Sequence, residues 1–245
     1  MPEDNFIGLR PYGQIDLDIL EVLVKELRQL FPFPIVILEA CAPPDFAYDR
    51  GRQQYLAKAI LNDLVKNAPQ GCKRIAGLTD VDLFLPILTF VYGEAMLPGQ
   101  AAVVSTYRLS GKNSENPVPF EMLAKRVVKE VVHELGHTFN LVHCDNKDCV
   151  MSFAHELDHI DKKAVRFCRY CSVLFSDALP FKPESSRDNH RGNCSRLPVS
   201  AQPAHRHPSQ GIRNRLLGRA IFYPEPWFRS FDSFICLRLS LGSAF

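Results

Sequence analysis

The sequence predicts an α/β fold: a mixed, mostly parallel sheet with one long, apolar helix packed beside it. Three observations lead there. Apolar residues recur at helical spacing in separate stretches, short β-rich runs lie between those stretches, and one helical stretch of more than twenty residues contains VVKEVV, apolar on nearly every side. Strands separated by helices favour parallel pairing, because each helix carries the chain back over the sheet.

The elements follow in order. Residues 16–31, DLDILEVLVKELRQLF, repeat apolar positions every three or four and predict a helix. FPIVILEA (33–40) is a short β-rich run behind a proline, and GRQQYLAKAILNDLVKNA (51–68) predicts a second amphipathic helix. Strands are expected within 72–84, 87–95 and 101–109, the last reading AAVVSTYRL. Residues 118–140, VPFEMLAKRVVKEVVHELGHTFN, predict the long helix, with Pro119 tolerated in its first turn because proline lacks only a donor that is unpaired there anyway.

Composition narrows the function classes. At 245 residues, 46% hydrophobic and 23% charged, the chain can bury an ordinary globular core. A net charge of +2 without polybasic runs, and without aromatics interleaved among basic residues, gives no sign of nucleic-acid binding. No apolar run approaches the roughly 18–20 residues that span a bilayer. The start, MPEDNFIGLRPYG, lacks the basic and apolar segments of a secretory signal. A cytoplasmic protein with no membrane partner is expected, and in a reducing compartment its eight cysteines suit metal ligation better than disulfides.

After Cys171 the character changes. Residues 176–245 hold seven of the 18 prolines and ten Lys+Arg against five Asp+Glu, nearly all the basic ones arginine. Stretches such as PESSRDNHRGNCSRLPVSAQPAHRHPSQG follow neither period. The expected division is a domain over 1–175 and a Pro/Arg/Ser-rich extension over 176–245, poorly ordered by its composition.

Chemistry concentrates in HELGHTFNLVHC, residues 133–144. His133 and His137 stand four apart, one helical turn, so both imidazoles can reach one ion. His143 can supply a third ligand if the chain turns sharply after the helix. Glu134, next to the first ligand, can reach water on that ion without binding the metal, and can take its proton as the water attacks a carbonyl. The turn falls at Asn140, where glycine is usual. Asparagine is the common substitute, since its short polar side chain tolerates positive φ at a cost on the order of 1 kcal/mol.

A second HExxH, HELDH (155–159), lies in the amphipathic FAHELDHIDKKAVRF. The position that should carry a third histidine is Val165, and the distant candidate Glu184 sits in the proline-rich extension. His155 and His159 are therefore expected to be solvated histidines on a helix face. Cys144 directly follows His143, Cys149 comes five residues later, and CRYC supplies Cys168 and Cys171. Two close pairs of cysteines suit a tetrahedral structural zinc. Cys41 and Cys72 are expected as buried small apolar residues, while Cys194 and Cys236 fit no pattern.

Taken together, the three-histidine HExxH helix, a cysteine touching the last histidine, the CVM tripeptide and the later CxxC resemble the archaemetzincin family of zinc metallopeptidases. The resemblance covers about residues 5–175, including GLTDVDLFLPILTFVYG and AAVVSTYRL. It implies a metzincin-like zincin fold and hydrolysis of peptide bonds in peptide or protein substrates. It further implies two zinc ions per chain: a catalytic one on His133, His137 and His143, and a non-catalytic one on Cys144, Cys149, Cys168 and Cys171. Met151 matches the methionine turn beneath the catalytic metal, and AAVVSTYRL would be the edge strand lining the cleft. Two positions depart from the family pattern: Asn140 replaces the motif glycine, and the interval from Met151 to Cys168 is about a residue short. The competing expectation is a zinc-stabilised binding protein that keeps the fold with little or no catalysis.

Overall fold

The computed structural model describes residues 5–111 and 118–179. Its central sheet has five strands in the order β2-β1-β5-β8-β7. These are β1 (Phe6–Pro11), β2 (Ile35–Ile37), β5 (Cys72–Thr79), β7 (Gly93–Ala95) and β8 (Ala101–Ser105). All pairings are parallel except β7 with β8, which is antiparallel. A smaller sheet joins β3 (Tyr48–Asp49), β4 (Gln54–Leu56) and β6 (Leu83–Phe84).

Both faces of the large sheet are covered, which is why its strands read as continuous apolar runs rather than alternating ones. On one face Ile7, Leu9, Ala76, Leu78 and Val104 pack against α1 (Leu17–Leu30) and α4 (Phe120–Thr138). On the other, Phe6, Ile75, Ala101 and Val103 meet α2 (Ala57–Lys66). The alternation of faces along β1, β5 and β8 follows from the two-residue period of a strand.

Helix α1 begins where Asp16 accepts a hydrogen bond from the backbone N–H of Asp18, and it buries Ile19, Leu20, Leu23 and Leu27 on one face. Helix α4 is different. From Arg126 onward Val127, Val128, Val131, Val132 and Leu135 are all buried, as are the polar residues between them except the half-buried Lys129. It runs between the sheet, α1 and α5 (Leu157–Lys162), so it has hardly any solvated face.

Two ion pairs and a lysine bonded to backbone carbonyls fasten α5 to α4. Arg126 clamps Asp161 through two hydrogen bonds of 2.7 and 2.6 Å, and Lys129 Nζ donates to the carbonyls of Ile160 and Asp161. Lys163 Nζ lies 2.9 Å from Glu130 Oε1, and both side chains are buried. Neither atom has a hydrogen bond of good geometry, so charge rather than alignment joins them. Lys163→Met would leave the Glu130 carboxylate buried alone, and a loss of about 3–5 kcal/mol in urea unfolding is expected. Adding Glu130→Leu should restore most of it, because two apolar groups need no partner.

Several boundaries differ from the sequence expectation. The helix predicted from residue 51 starts at Ala57, because Gln54–Leu56 form β4 beside β6. Only Gly93–Ala95 of 87–95 are a strand. AAVVSTYRL is a strand to Ser105 and then one helical turn, α3 (Thr106–Leu109), capped by the Ser105 hydroxyl. It is also not an edge: β8 lies between β5 and β7, and the edge is β7. The last helix, α6 (Arg169–Ala178), runs past residue 175, and the extension expected over 176–245 lies almost wholly outside the described residues. Among the described residues no helix is long and apolar enough to cross a membrane.

Candidate metal centres

The C-terminal half of α4 carries His133, Glu134 and His137, each at most 9% exposed. The helix then ends in a Schellman motif. The N–H of Asn140 donates to the His137 carbonyl and that of Leu141 to the Gly136 carbonyl, with Asn140 at a φ of 68°. This left-handed step turns the chain back so that His143 returns beside the helix, its ring 5.3 Å from His133 and 4.9 Å from His137. Asparagine thus makes the turn expected of glycine. Asn140→Gly should leave urea stability within about 1 kcal/mol, whereas Asn140→Val should cost about 1–2 kcal/mol, since a branched side chain is strained there.

The ring orientations favour a shared cation. The Nδ1–H of His133 donates to the Val150 carbonyl at 2.8 Å, and that of His137 to the Leu141 carbonyl at 2.7 Å. A carbonyl can only accept, so each ring keeps its proton on Nδ1 and turns a lone pair on Nε2 inward. The two Nε2 atoms stand 3.1 Å apart. Two lone pairs at that distance repel unless a cation lies between them. In a tetrahedral zinc site with Zn–N of about 2.0–2.1 Å, ligand nitrogens lie roughly 3.3 Å apart, so the donor set fits zinc. One ligand atom from each of His133, His137 and His143 lies within 4.8 Å of the others.

Electrostatics keeps these rings neutral. Burial, and then the nearby Lys163 charge, hold His133 well below the usual imidazole range and His143 below it. Burial also brings His137 down to about 4. Neutral imidazole is the form that ligates metal. Glu134 is pushed well above the usual carboxylate range, first by burial and then by the charges of Glu130 and Glu94, with Lys163 opposing. On β7, burial lifts Glu94 to about 7.

The floor and wall of the site are close-fitting. Met151 is fully buried, and a Cβ at Gly136 would meet its sulfur at 2.5 Å, so only glycine lets the methionine pack against this turn of α4. Across the site, a Cβ at Gly93 would lie 2.8 Å from Glu134 Cγ and 2.9 Å from its Oε1. The edge strand therefore gives way to the Glu134 side chain at that point.

The second cluster starts one residue after His143. Cys144, Cys149, Cys168 and Cys171 each place a sulfur within 4.8 Å of the others, and all four are free thiols. The Cys144 and Cys168 sulfurs are 3.8 Å apart. A disulfide would need about 2.05 Å, while Zn–S bonds of about 2.3 Å in a tetrahedron place sulfurs about 3.8 Å apart. Backbone N–H groups of Cys168 and Cys171 donate to the sulfurs of Cys149 and Cys168. The bond from Cys171 is the main reason the Cys168 thiol falls to about 7.

A single turn connects the clusters. Ser152 N–H donates to the Cys149 carbonyl across Val150 and Met151, and Cys144 N–H donates to the Met151 carbonyl. Cys149 thus belongs to the sulfur cluster, the Val150 carbonyl orients His133, and Met151 packs against Gly136, next to His137 on α4.

The structure therefore brings together every residue singled out as a ligand in the sequence. It does not make HELDH a second helix motif of the same kind, since His155 and Glu156 precede α5. Sequence reasoning missed Glu130, Lys163, Glu94 and Gly93. Of these only Glu130 left a signal, as an acidic charge one turn before Glu134 within the largely apolar VVKEVV.

Comparison with known proteins agrees with this geometry. Residues 12–176 match the model of peptidase family M54. Archaemetzincin from Methanopyrus kandleri is 47% identical over 136 residues, covering 56% of this chain and 74% of its own, and that from Haloquadratum walsbyi is 35% identical over 171 residues, covering 69% and 98%. The crystal structure of the Methanopyrus kandleri protein superposes with a TM-score of 0.63 at 37% identity, covering 71% of this chain and 96% of that one. The Archaeoglobus fulgidus archaemetzincin, solved with malonate, gives 0.60 at 34% identity over 69% and 98%. The fold agrees with these relatives, and the chain belongs to peptidase family M54, the archaemetzincin zinc peptidases.

Proposed function

We propose that this chain hydrolyses peptide bonds at a zinc ion held by His133, His137 and His143, with Glu134 as the general base. We assign a second zinc, structural in role, to Cys144, Cys149, Cys168 and Cys171. The observation that carries the reading is the convergence of three imidazoles, His133 and His137 buried and with Nε2 freed by Nδ1–carbonyl bonds, His143 half-buried, beside the buried Glu134 carboxylate of α4. A zinc ion there would act as a Lewis acid on the scissile carbonyl and acidify water.

The chain's own residues do the rest. Glu134 takes the proton from the attacking water and then delivers it to the departing amine nitrogen. Its burial removes competing solvent, and Gly93 leaves it room to turn toward either proton position. An extended substrate can add to β7, the edge strand beside Glu134, through backbone hydrogen bonds. That assigns to β7 the part the sequence suggested for residues 101–109.

The test is a digest of a broad peptide mixture by full-length protein, with new termini read by mass spectrometry. Cleavage is expected with the zinc-loaded protein, and its loss after chelation and return with added zinc. A loaded protein that cuts no more than the chelated one, while still holding two zinc ions, would support a zinc-stabilised binding protein instead.

A further inference from the structure

We propose that His155, Glu156 and His159 form a third metal site, open to solvent, that takes zinc or a similar borderline dication. HELDH resembles the catalytic motif by letters alone, and the backbone gives it another geometry. In a hydrolytic HExxH both histidines and the glutamate ride one helix, and the glutamate stays off the metal. Here α5 starts only at Leu157, so His155 and Glu156 lie on the extended entry to the helix and fold toward His159.

One ligand atom from each of the three residues lies within 4.8 Å of the others. The two rings are 4.6 Å apart, and Glu156 Oε1 is 3.7 Å from His155 Nε2. Glu156 stands at the N-cap position, yet its side chain caps nothing, so the carboxylate is not committed to the helix. The other nearby carboxylate, Asp158, is engaged by Lys162 Nζ at 2.5 Å. Two imidazoles and one carboxylate are a donor set for zinc with at least one position left to water.

The site is also pre-positioned. His159 rides a helix fixed to α4 through Asp161, Lys129 and Lys163 and anchored in the core by buried Ile160. Only His155 and Glu156 need to adjust their side chains, which keeps the ordering cost of binding small. Their side chains are 60% and 66% exposed, so water competes for the ion, and binding here is weaker and faster to exchange than at the two buried clusters. Phe153 joins this group to the first centre, with its ring 5.1 Å from His143 and 5.9 Å from His155. The third site thus lies one aromatic ring away from the third imidazole of the proposed catalytic zinc.

The experiment is zinc binding by equilibrium dialysis with elemental analysis on the full chain. Protein is first dialysed against weak chelator until its zinc content is constant, then exposed to stepped micromolar free zinc. One further zinc per chain is expected in the native protein. His155→Ala and His159→Ala should each weaken that step at least tenfold and leave the retained zinc unchanged. His155 is exposed and outside any helix, so its removal does not threaten the fold even if His159→Ala disturbs α5. A third step of unchanged affinity in His155→Ala places the ion elsewhere, for instance on His205 or His207, and overturns the proposal. Absence of any third step below millimolar zinc overturns it equally. Neither result bears on peptide hydrolysis, which the retained zinc and the digest report separately.

Discussion

Cys149→Ser is expected to cost the protein its fold, not merely one metal ion. Cys149 is 1% exposed and has its sulfur among three others at zinc-ligand spacing. Structural zinc sites contribute roughly 10–16 kcal/mol in small peptides, against a total stability of about 5–15 kcal/mol for a whole domain. Serine supplies a poor, usually protonated ligand, so most of that contribution disappears. The damage should also spread, because the turn that holds Cys149 carries the Val150 carbonyl that orients His133 and the Met151 side chain that packs against Gly136 of α4. Purified Cys149→Ser should therefore hold well under one zinc per chain and show a collapsed near-ultraviolet circular dichroism spectrum. His143→Ala provides the contrast: it should release one zinc and keep the spectrum. Should Cys149→Ser retain two zinc ions and native unfolding behaviour, the four cysteines are packed thiols and nothing more.

The asymmetry between those two variants follows from what each cluster joins. The cysteines tie α6 and the loop after α4 to the Cys149–Ser152 turn, segments otherwise joined by a few backbone hydrogen bonds such as Cys144 N–H to Met151 and Val150 N–H to Arg166. Two of the three histidines, His133 and His137, sit on α4, which the core already holds through Val127, Val131 and Leu135. Metal at the cysteine cluster ties loops and a short helix together, whereas metal at the histidine cluster occupies a frame that helix packing has largely built.

Much of this was legible in the letters, for reasons that differ by element. Ligand spacing within a helix is fixed by its 3.6-residue turn, so His133, Glu134 and His137 could be placed together without coordinates. Asn140 could be placed at positive φ because the route back to His143 demands it. Strand β1 escaped notice although it lies between β2 and β5, since FIGLRP is short, interrupted by glycine and closed by proline. Sheet order was equally hidden. Whether β7 or β8 forms the edge depends on which strand finds a partner across the sheet, and three residues, Gly93–Ala95, carry no signature of that. The Lys163–Glu130 pair was out of reach because the two are 33 positions apart and meet only when α5 docks on α4. HELDH misled in the other direction: its spacing is that of a helix, but the helix begins two residues too late for it.

Glu134→Gln should lower kcat/KM for peptide cleavage by about 10²–10⁴, the usual worth of a positioned general base, with the zinc content unchanged. Glutamine keeps the length and the amide can keep a hydrogen bond, but it cannot take a proton from water at neutral pH. The substitution also removes a carboxylate that burial and the Glu130 and Glu94 charges disfavour, so the variant should be at least as stable as the parent. Loss of rate together with retained or raised stability is the signature to look for, since a residue needed only for structure would show the reverse. KM should change little if the carboxylate acts in the transition state and not in holding the substrate. Gly93→Ala offers an independent handle on the same group. Its added Cβ crowds Glu134 at 2.8 Å and the Val103 carbonyl at 2.9 Å, so it should depress kcat in the parent and lower it by a smaller factor in the Glu134→Gln background, where only the clash with Val103 still counts. If the two losses simply multiply, Gly93 acts on the substrate strand and not through Glu134. If Glu134→Gln alone leaves the cleavage rate where it was, proton transfer in this site belongs to some other group, and the general-base assignment falls while the metal sites stand.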